Sequence, residues 1–174
     1  MNIREVIETI NRLQADGVIN RYAIGGAVGA TFYLEPIATL DVDVFIEVHA
    51  APGSLVVTIE PIFQYLRDRG CTTEGEHIVI SGWPVQLLPP TSPLTEEALT
   101  NAIEMDVDGI SARVFTAEHL AAIALQTGRA KDKARLLQFI EARALDLEHF
   151  EKIIQGHRLV DKWRAFQRQF LSDE

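Results

Sequence analysis

The chain of 174 residues has one cysteine, Cys71, so no internal disulfide can form. That suits a reducing cytoplasm. Cys71 lies among Gly70, Thr72 and Thr73 with no activating neighbour in sequence, and it reads as structural. No run approaches the roughly 18 apolar residues that a membrane span needs. Acidic residues interrupt the opening MNIREVIETI, so neither a membrane segment nor a signal peptide is expected. Internal repeats and low-complexity tracts are also missing. His119, His149 and His157 are scattered without metal-ligand spacing, which argues against zinc. Cations are scarce before residue 129: residues 1–128 carry 6 Lys/Arg against 17 Asp/Glu, a charge of −11. Residues 129–174 carry 10 against 8, a charge of +2. An acidic body opposes nonspecific binding to a duplex, which depends on phosphate neutralisation. The basic tail reads either as a local patch or as a solvated helix face.

What remains is one domain's length with ordinary apolar content. Ile3, Val6, Ile7, Ile10 and Leu13 recur at helical spacing over 3–15. Tyr22–Ile24 reads as a short strand, and Gly25-Gly26 opens a small-residue helix from Ala27 to about Leu34 that Pro36 stops. Residues 41–48, DVDVFIEV, alternate as a strand with one acidic and one apolar face, and Pro52-Gly53 ends it. A helix near Ile59–Leu66 follows, then strands at 76–80 and 84–88. Ser92-Pro93 starts a helix expected to run to about Met105, and 109–115 reads as a strand. Thr116 caps a helix through Leu125, and three further helical pieces follow. Trp163, Phe166 and Phe170 recur at helical spacing as core or interface. The expected class is α/β (α+β): an α/β core over 1–115 and a C-terminal helical unit over 116–174.

The stretch that carries chemistry is 22–46. Asp41 and Asp43 sit two apart on a strand, so both carboxylates leave one face, about 6.6–7 Å apart at the backbone. At an effective dielectric near 20 their repulsion is about 2 kcal/mol. A cation between them removes that cost, and hard oxygen ligands favour Mg²⁺. Gly25 and Gly26, between strand and helix, let a phosphate approach backbone N–H groups. Taken singly, each feature has a plainer reading: a solvated acidic face, an ordinary turn. Together they form a device with a phosphate end and a metal end.

YAIGGAVGATFYLEPIATLDVDVFIEV, residues 22–48, resembles the signature of the nucleotidyltransferase superfamily of polymerase-β-like fold. PVQLLPP (84–90) and AEHLAAIALQTGRAKDK (117–133) resemble small bacterial members distantly similar to abortive-infection toxins of toxin–antitoxin systems. The resemblance implies a mixed sheet flanked by helices. It also implies a nucleoside triphosphate held at Gly25, Gly26 and Thr39, with Arg129 and Lys131 of a Gly-Arg-x-Lys-Asp turn near the phosphates. Asp41 and Asp43 would ligate Mg²⁺ or Mn²⁺. The acceptor would be a small molecule, an RNA end or a protein, and the assembly a homodimer or a complex with a cognate partner.

The sequence departs from that pattern at four positions. The third acidic position is Gln86, an amide that cannot act as general base. Ala124 stands where a lysine is usual, Arg135 where a second acid is usual, and Ile37 where an arginine is common. A tight hairpin over 81–84 would set Val79 against Gln86 and put His77 on the same face, as a substitute base or as a solvent-facing edge residue. Glu74 and Glu76 read as surface residues, or one of them as an acid that swings into the site. Two functions therefore stand side by side: a metal-dependent nucleotidyltransferase, and a noncatalytic nucleotide- or partner-binding module.

Overall fold

The computed structural model describes residues 3–36, 39–48 and 58–171; Ile37 and the Pro52-Gly53 break lie outside them. Helix α1 (Ile3–Ala15) buries Val6, Ile7, Ile10 and Leu13, the stripe its sequence spacing predicts. The strands are β1 (Arg21–Ile24), β2 (Val42–Glu47), β3 (Thr72–Glu74), β4 (His77–Ile80), β5 (Trp83–Leu88), β6 (Ile103–Val107) and β7 (Ile110–Val114). They form one mixed sheet of order β3-β4-β5-β2-β1-β7-β6. β2 runs parallel to β5 and antiparallel to β1, while β1 runs parallel to β7. The remaining helices are α2 (Gly26–Ala30), α3 (Glu60–Arg67), α4 (Pro93–Thr100), α5 (Ala117–Thr127), α6 (Ala130–Glu141), α7 (Leu147–Gly156) and α8 (Val160–Phe170).

Two apolar clusters lie on opposite faces of the sheet. Val42, Val44 and Ile46 of β2 are fully buried in the cluster that includes α1 and α3. The alternate residues Asp43, Phe45 and Glu47 therefore point the other way, and Phe45 packs against the cluster of α4 to α8. In that second cluster α5 is the hub, packing on α2, α4, α6, α7 and α8. Its alanines, with Ala121, Ala122 and Ala124 buried, let neighbouring helices approach closely. Phe139 and Phe150 fill the same core with no exposed area, each worth about 2–3 kcal/mol of burial.

Three expectations about elements need correction. The helix after Ser92 ends at Thr100; Ser92 caps it and Pro93 opens it as read from sequence, and Thr95 completes a capping box. Residues 103–107 then form β6, because Ile103, Met105 and Val107 alternate with Glu104 and Asp106 and pair with β7. The hairpin turns on Asp108-Gly109, both at positive φ, the dipeptide a two-residue turn favours. β3, a short exposed edge strand, was not expected. The β4–β5 hairpin is tighter than supposed: Ile80 pairs with Trp83 and Val79 with Pro84, across Ser81-Gly82, both at positive φ. This shifts the expected pairing by two residues and so preserves which side chains share a face.

The scattered histidines converge. His119, 1% exposed, donates from Nε2 to Glu97 Oε1 at 3.2 Å, and His157 Nε2 donates to Glu97 Oε2 at 2.8 Å. Thr116 Oγ1 accepts the His119 backbone N–H and lies 2.8 Å from Nδ1, so its hydroxyl can donate to a neutral ring. His149 Nδ1 stands 3.8 Å from Glu118, whose other oxygen accepts the Asp146 N–H. This cluster ties α4, α5 and α7 together. Burial pushes the His119 pKa down, against the opposing pull of Glu97. The native state thus holds His119 neutral, while the unfolded chain takes a proton as pH falls through about 6.5. The thermal midpoint should therefore drop as pH is lowered from about 7.5 to 5.5, and His119→Gln should flatten that slope. An unchanged slope in the variant would refute the assignment.

Candidate functional site

The sheet face carrying Asp43 and the N-terminal half of α6 enclose a cleft of about 690 Å³. Its floor is built by strand pairing. Asp43 of β2 lies directly beside Gln86 of β5, and continuing the β4–β5 register by one residue sets His77 opposite Gln86. His77 Nε2 is 3.7 Å from Asp41 Oδ2. Thr39 Oγ1 donates to the Asp41 carbonyl at 3.1 Å and lies 3.4 Å from its carboxylate, so Thr39 orients Asp41. Leu40, 90% exposed, sits at the cleft mouth.

The two glycines do different work. A Cβ on Gly25 would meet Phe45 at 2.7 Å and Phe115 at 3.1 Å, so this glycine makes room for the packed ring pair behind the cleft. Gly25 N–H donates to the Asp43 carbonyl at 2.9 Å, which fastens the turn to β2. Gly26 lines the cleft at φ 57°, and a Cβ there would stand 1.9 Å from Asp43 Oδ2. Any side chain at 26 displaces the carboxylate.

The opposite wall comes from the α5–α6 junction. Gly128, at φ 65°, ends α5 and lets Arg129 cap α6. Asp132, 2% exposed, accepts from Thr127 Oγ1 at 2.8 Å and from Arg129 Nε at 2.6 Å. Burial pushes its pKa up, but these bonds and the charges of Arg129 and Arg135 outweigh that and hold it below the usual carboxylate range. Lys131 is exposed at the rim and Arg135 lies deeper. Ala124 also lines the wall, where a lysine would have added a further cation.

Sequence reasoning placed Asp41, Asp43, Gln86, Gly26, Thr39, Arg129 and Lys131 in the site, and all line this one cleft. His77 stands at its edge beside Asp41, and Gly25 lies behind it. Arg135 was noted only as a departure from the family pattern and given no role in the site, and the Phe45–Phe115 wall was not singled out. The i, i+4 spacing of Lys131 and Arg135 was the available signal for the arginine.

Burial, and then the neighbouring Asp41, push the Asp43 pKa up; Arg135, Lys131 and Arg129 pull it back only in part. A pair of hard oxygen donors that repel each other in a partly enclosed place fits a divalent cation. Among the described residues no three His, Cys, Asp or Glu are grouped so that they could hold a metal ion by themselves. A cation on Asp41 and Asp43 would therefore draw its other ligands from the Gln86 amide, water or substrate oxygens.

A raised pKa in the folded state means the ionised form costs stability. That cost is absent below the unfolded carboxylate pKa, near 3.9, and is complete once pH exceeds the folded value. In metal-free buffer at neutral pH, Asp43→Asn should therefore raise the thermal midpoint. Added Mg²⁺ should stabilise the wild type and not the variant. A less stable variant with the same response to Mg²⁺ would overturn this account of the pair.

Compared by sequence, the chain matches no family model and no curated protein. Compared by structure, it is similar to an antigenic nucleotidyltransferase-like protein from Paracoccidioides brasiliensis, with a TM-score of 0.57 at 13% identity, covering 93% of this chain and 90% of that one. The mixed sheet and flanking helices are thus a nucleotidyltransferase-like fold. Two structures of CdnC from E. coli MS115-1, one with HORMA-deltaN and one with ATP, align with TM-scores of 0.37 at 14% identity. They cover 79% and 80% of this chain, which spans about half of theirs, 47% and 48%.

Proposed function

We propose that the protein is a metal-dependent nucleotidyltransferase, moving a nucleotidyl group from a nucleoside triphosphate to a hydroxyl acceptor on a small molecule, an RNA end or a protein. The observation that carries this reading is the cleft itself, in which a carboxylate pair on the sheet faces Arg129, Lys131 and Arg135 on α6. The same charges make the site fit a metal-bound polyphosphate.

In this reading Asp41 and Asp43 hold Mg²⁺ or Mn²⁺, which when bound neutralises the pair and offsets charge on the transferring phosphoryl group. Gly26 gives the nucleotide close access to backbone. Lys131, and Arg129 held by Asp132, face its phosphates. His77, beside Asp41, takes the acceptor's proton on Nε2 as the acceptor oxygen bonds to the α-phosphorus and the bond to pyrophosphate breaks. A cytoplasmic setting supplies the triphosphate and suits the free Cys71. Among the described residues no helix is long and apolar enough to cross a membrane. A homodimer, or a cognate partner of the toxin–antitoxin kind, would control access to the cleft.

One observation favours a second reading. Gln86 stands beside Asp43, where an acid would serve as base, and an amide cannot accept the proton. A protein without that base binds metal-nucleotide and does not turn it over.

Labelled NTPs with Mg²⁺ or Mn²⁺, assayed for pyrophosphate release and for label on RNA, protein and small hydroxylated molecules, separate the two. For an enzyme using His77, wild type should transfer and His77→Ala should lose about 10²–10⁴-fold, while Gln86→Asp changes little. A silent wild type that still binds Mn²⁺-nucleotide, and gains transfer in Gln86→Asp, establishes the binding module. If Asp41→Asn/Asp43→Asn binds metal-nucleotide as well as wild type by calorimetry, the site lies elsewhere.

A further inference from the structure

The three cations on the α6 wall are not equivalent. Arg129 is engaged: its Nε donates to Asp132 Oδ2 at 2.6 Å and its Nη2 reaches Oδ1 at 3.4 Å. Thr127 takes a further place on the same carboxylate. Arg135 comes only to 3.7 Å of Asp132 Oδ1, beyond hydrogen-bond reach. Its side chain is 15% exposed, and its buried Nε has no hydrogen-bond partner. A guanidinium offers five donors, and enclosing them unsatisfied is costly. Arg135 is therefore held in the cleft wall with donors to spare.

Its nearest counter-charge, Asp132, is already bonded to Thr127 and Arg129. Arg135 lines the same cleft as Asp41 and Asp43. A divalent ion on Asp41 and Asp43 would cancel their charge and leave Arg135 beside Asp132 alone, a carboxylate already shared with Thr127 and Arg129. Gln86, beside Asp43, brings no charge to replace it. The chemistry that satisfies Arg135 then is an oxyanion with several acceptor oxygens, which the planar fork of arginine matches in bidentate fashion.

We infer, on the premise that the cleft is a metal-nucleotide site, that Arg135 binds a phosphate group of the substrate beside the Asp41–Asp43 pair. The plainer role, a second distant partner for Asp132, gives the guanidinium no hydrogen bond, since their closest approach is 3.7 Å.

The test uses the full chain, Mg²⁺ and inorganic tripolyphosphate, a probe independent of the base, with wild type, Arg135→Gln and Arg135→Lys compared by calorimetry. Arg135→Gln should weaken tripolyphosphate binding tenfold or more, about the loss of one charge-assisted hydrogen bond, and Arg135→Lys should recover part of it. Orthophosphate titrated into tripolyphosphate-saturated protein identifies the source of the phosphate. If Arg135→Gln spares tripolyphosphate and loses orthophosphate, Arg135 serves a phosphorylated acceptor. A folded Arg135→Gln that binds both as wild type does overturns the inference. Should that variant unfold, equal affinities of Arg135→Lys and wild type overturn it instead. Binding that needs Arg135 but neither Mg²⁺ nor the Asp pair upholds the phosphate contact and defeats the metal-nucleotide reading. No binding of either anion to wild type defeats the inference.

Discussion

The cleft depends on one steric fact: the Asp43 carboxylate occupies the space that a side chain at residue 26 would fill. The approach is possible because Gly26 has no Cβ and takes a positive φ, and because Gly25 donates to the Asp43 carbonyl. The same strand anchors the other face of the sheet through Val42, Val44 and Ile46. Since side chains alternate along a strand, the register that buries those three also fixes where Asp43 points. Position of the carboxylate and integrity of the core are thus one constraint, and a slip that spoils one spoils both.

The second wall is held by independent means. α5 packs against five other helices, and its left-handed end at Gly128 turns the chain so that α6 presents its first turns to the sheet. Asp132 secures that junction from within by gathering Thr127 and Arg129. The sheet supplies negative charge and the helix pair supplies positive charge. Neither wall alone makes a site.

The most legible parts of the sequence were those with strict local periodicity. The alternation in 41–48 has one sensible arrangement, so β2 and its acidic face could be read directly, while Gln86 beside them came from the family resemblance. The segment after Ser92 was misread because LTEEALTNAIEM has helix-favouring residues well past Thr100, and only tertiary pairing with β7 converts Ile103–Val107 into a strand. The Asp108-Gly109 turn was the overlooked sign. The histidine cluster was not legible because His119, His149 and His157 meet only after three helices have packed. Arg135, noted in sequence only as a departure from the family pattern, was given no role in the cleft for a related reason. Sequence gives its spacing from Lys131, but which face of α6 looks into the cleft is decided by packing on α5. His77 kept its face although its pairing was shifted by two residues, since parity survives an even slip.

The uneven charge along the chain has a kinetic meaning once the cations are seen in the cleft wall. The chain's net charge of −9 outweighs the few cations lining the cleft, so a long polyanion approaching from solution meets net repulsion. A compact, metal-neutralised anion meets far less. At cellular ionic strength fields fade over about 8 Å, so the gate is strongest in dilute buffer. Added salt should speed the encounter with a long RNA end, reversing the dependence of ordinary RNA-binding surfaces.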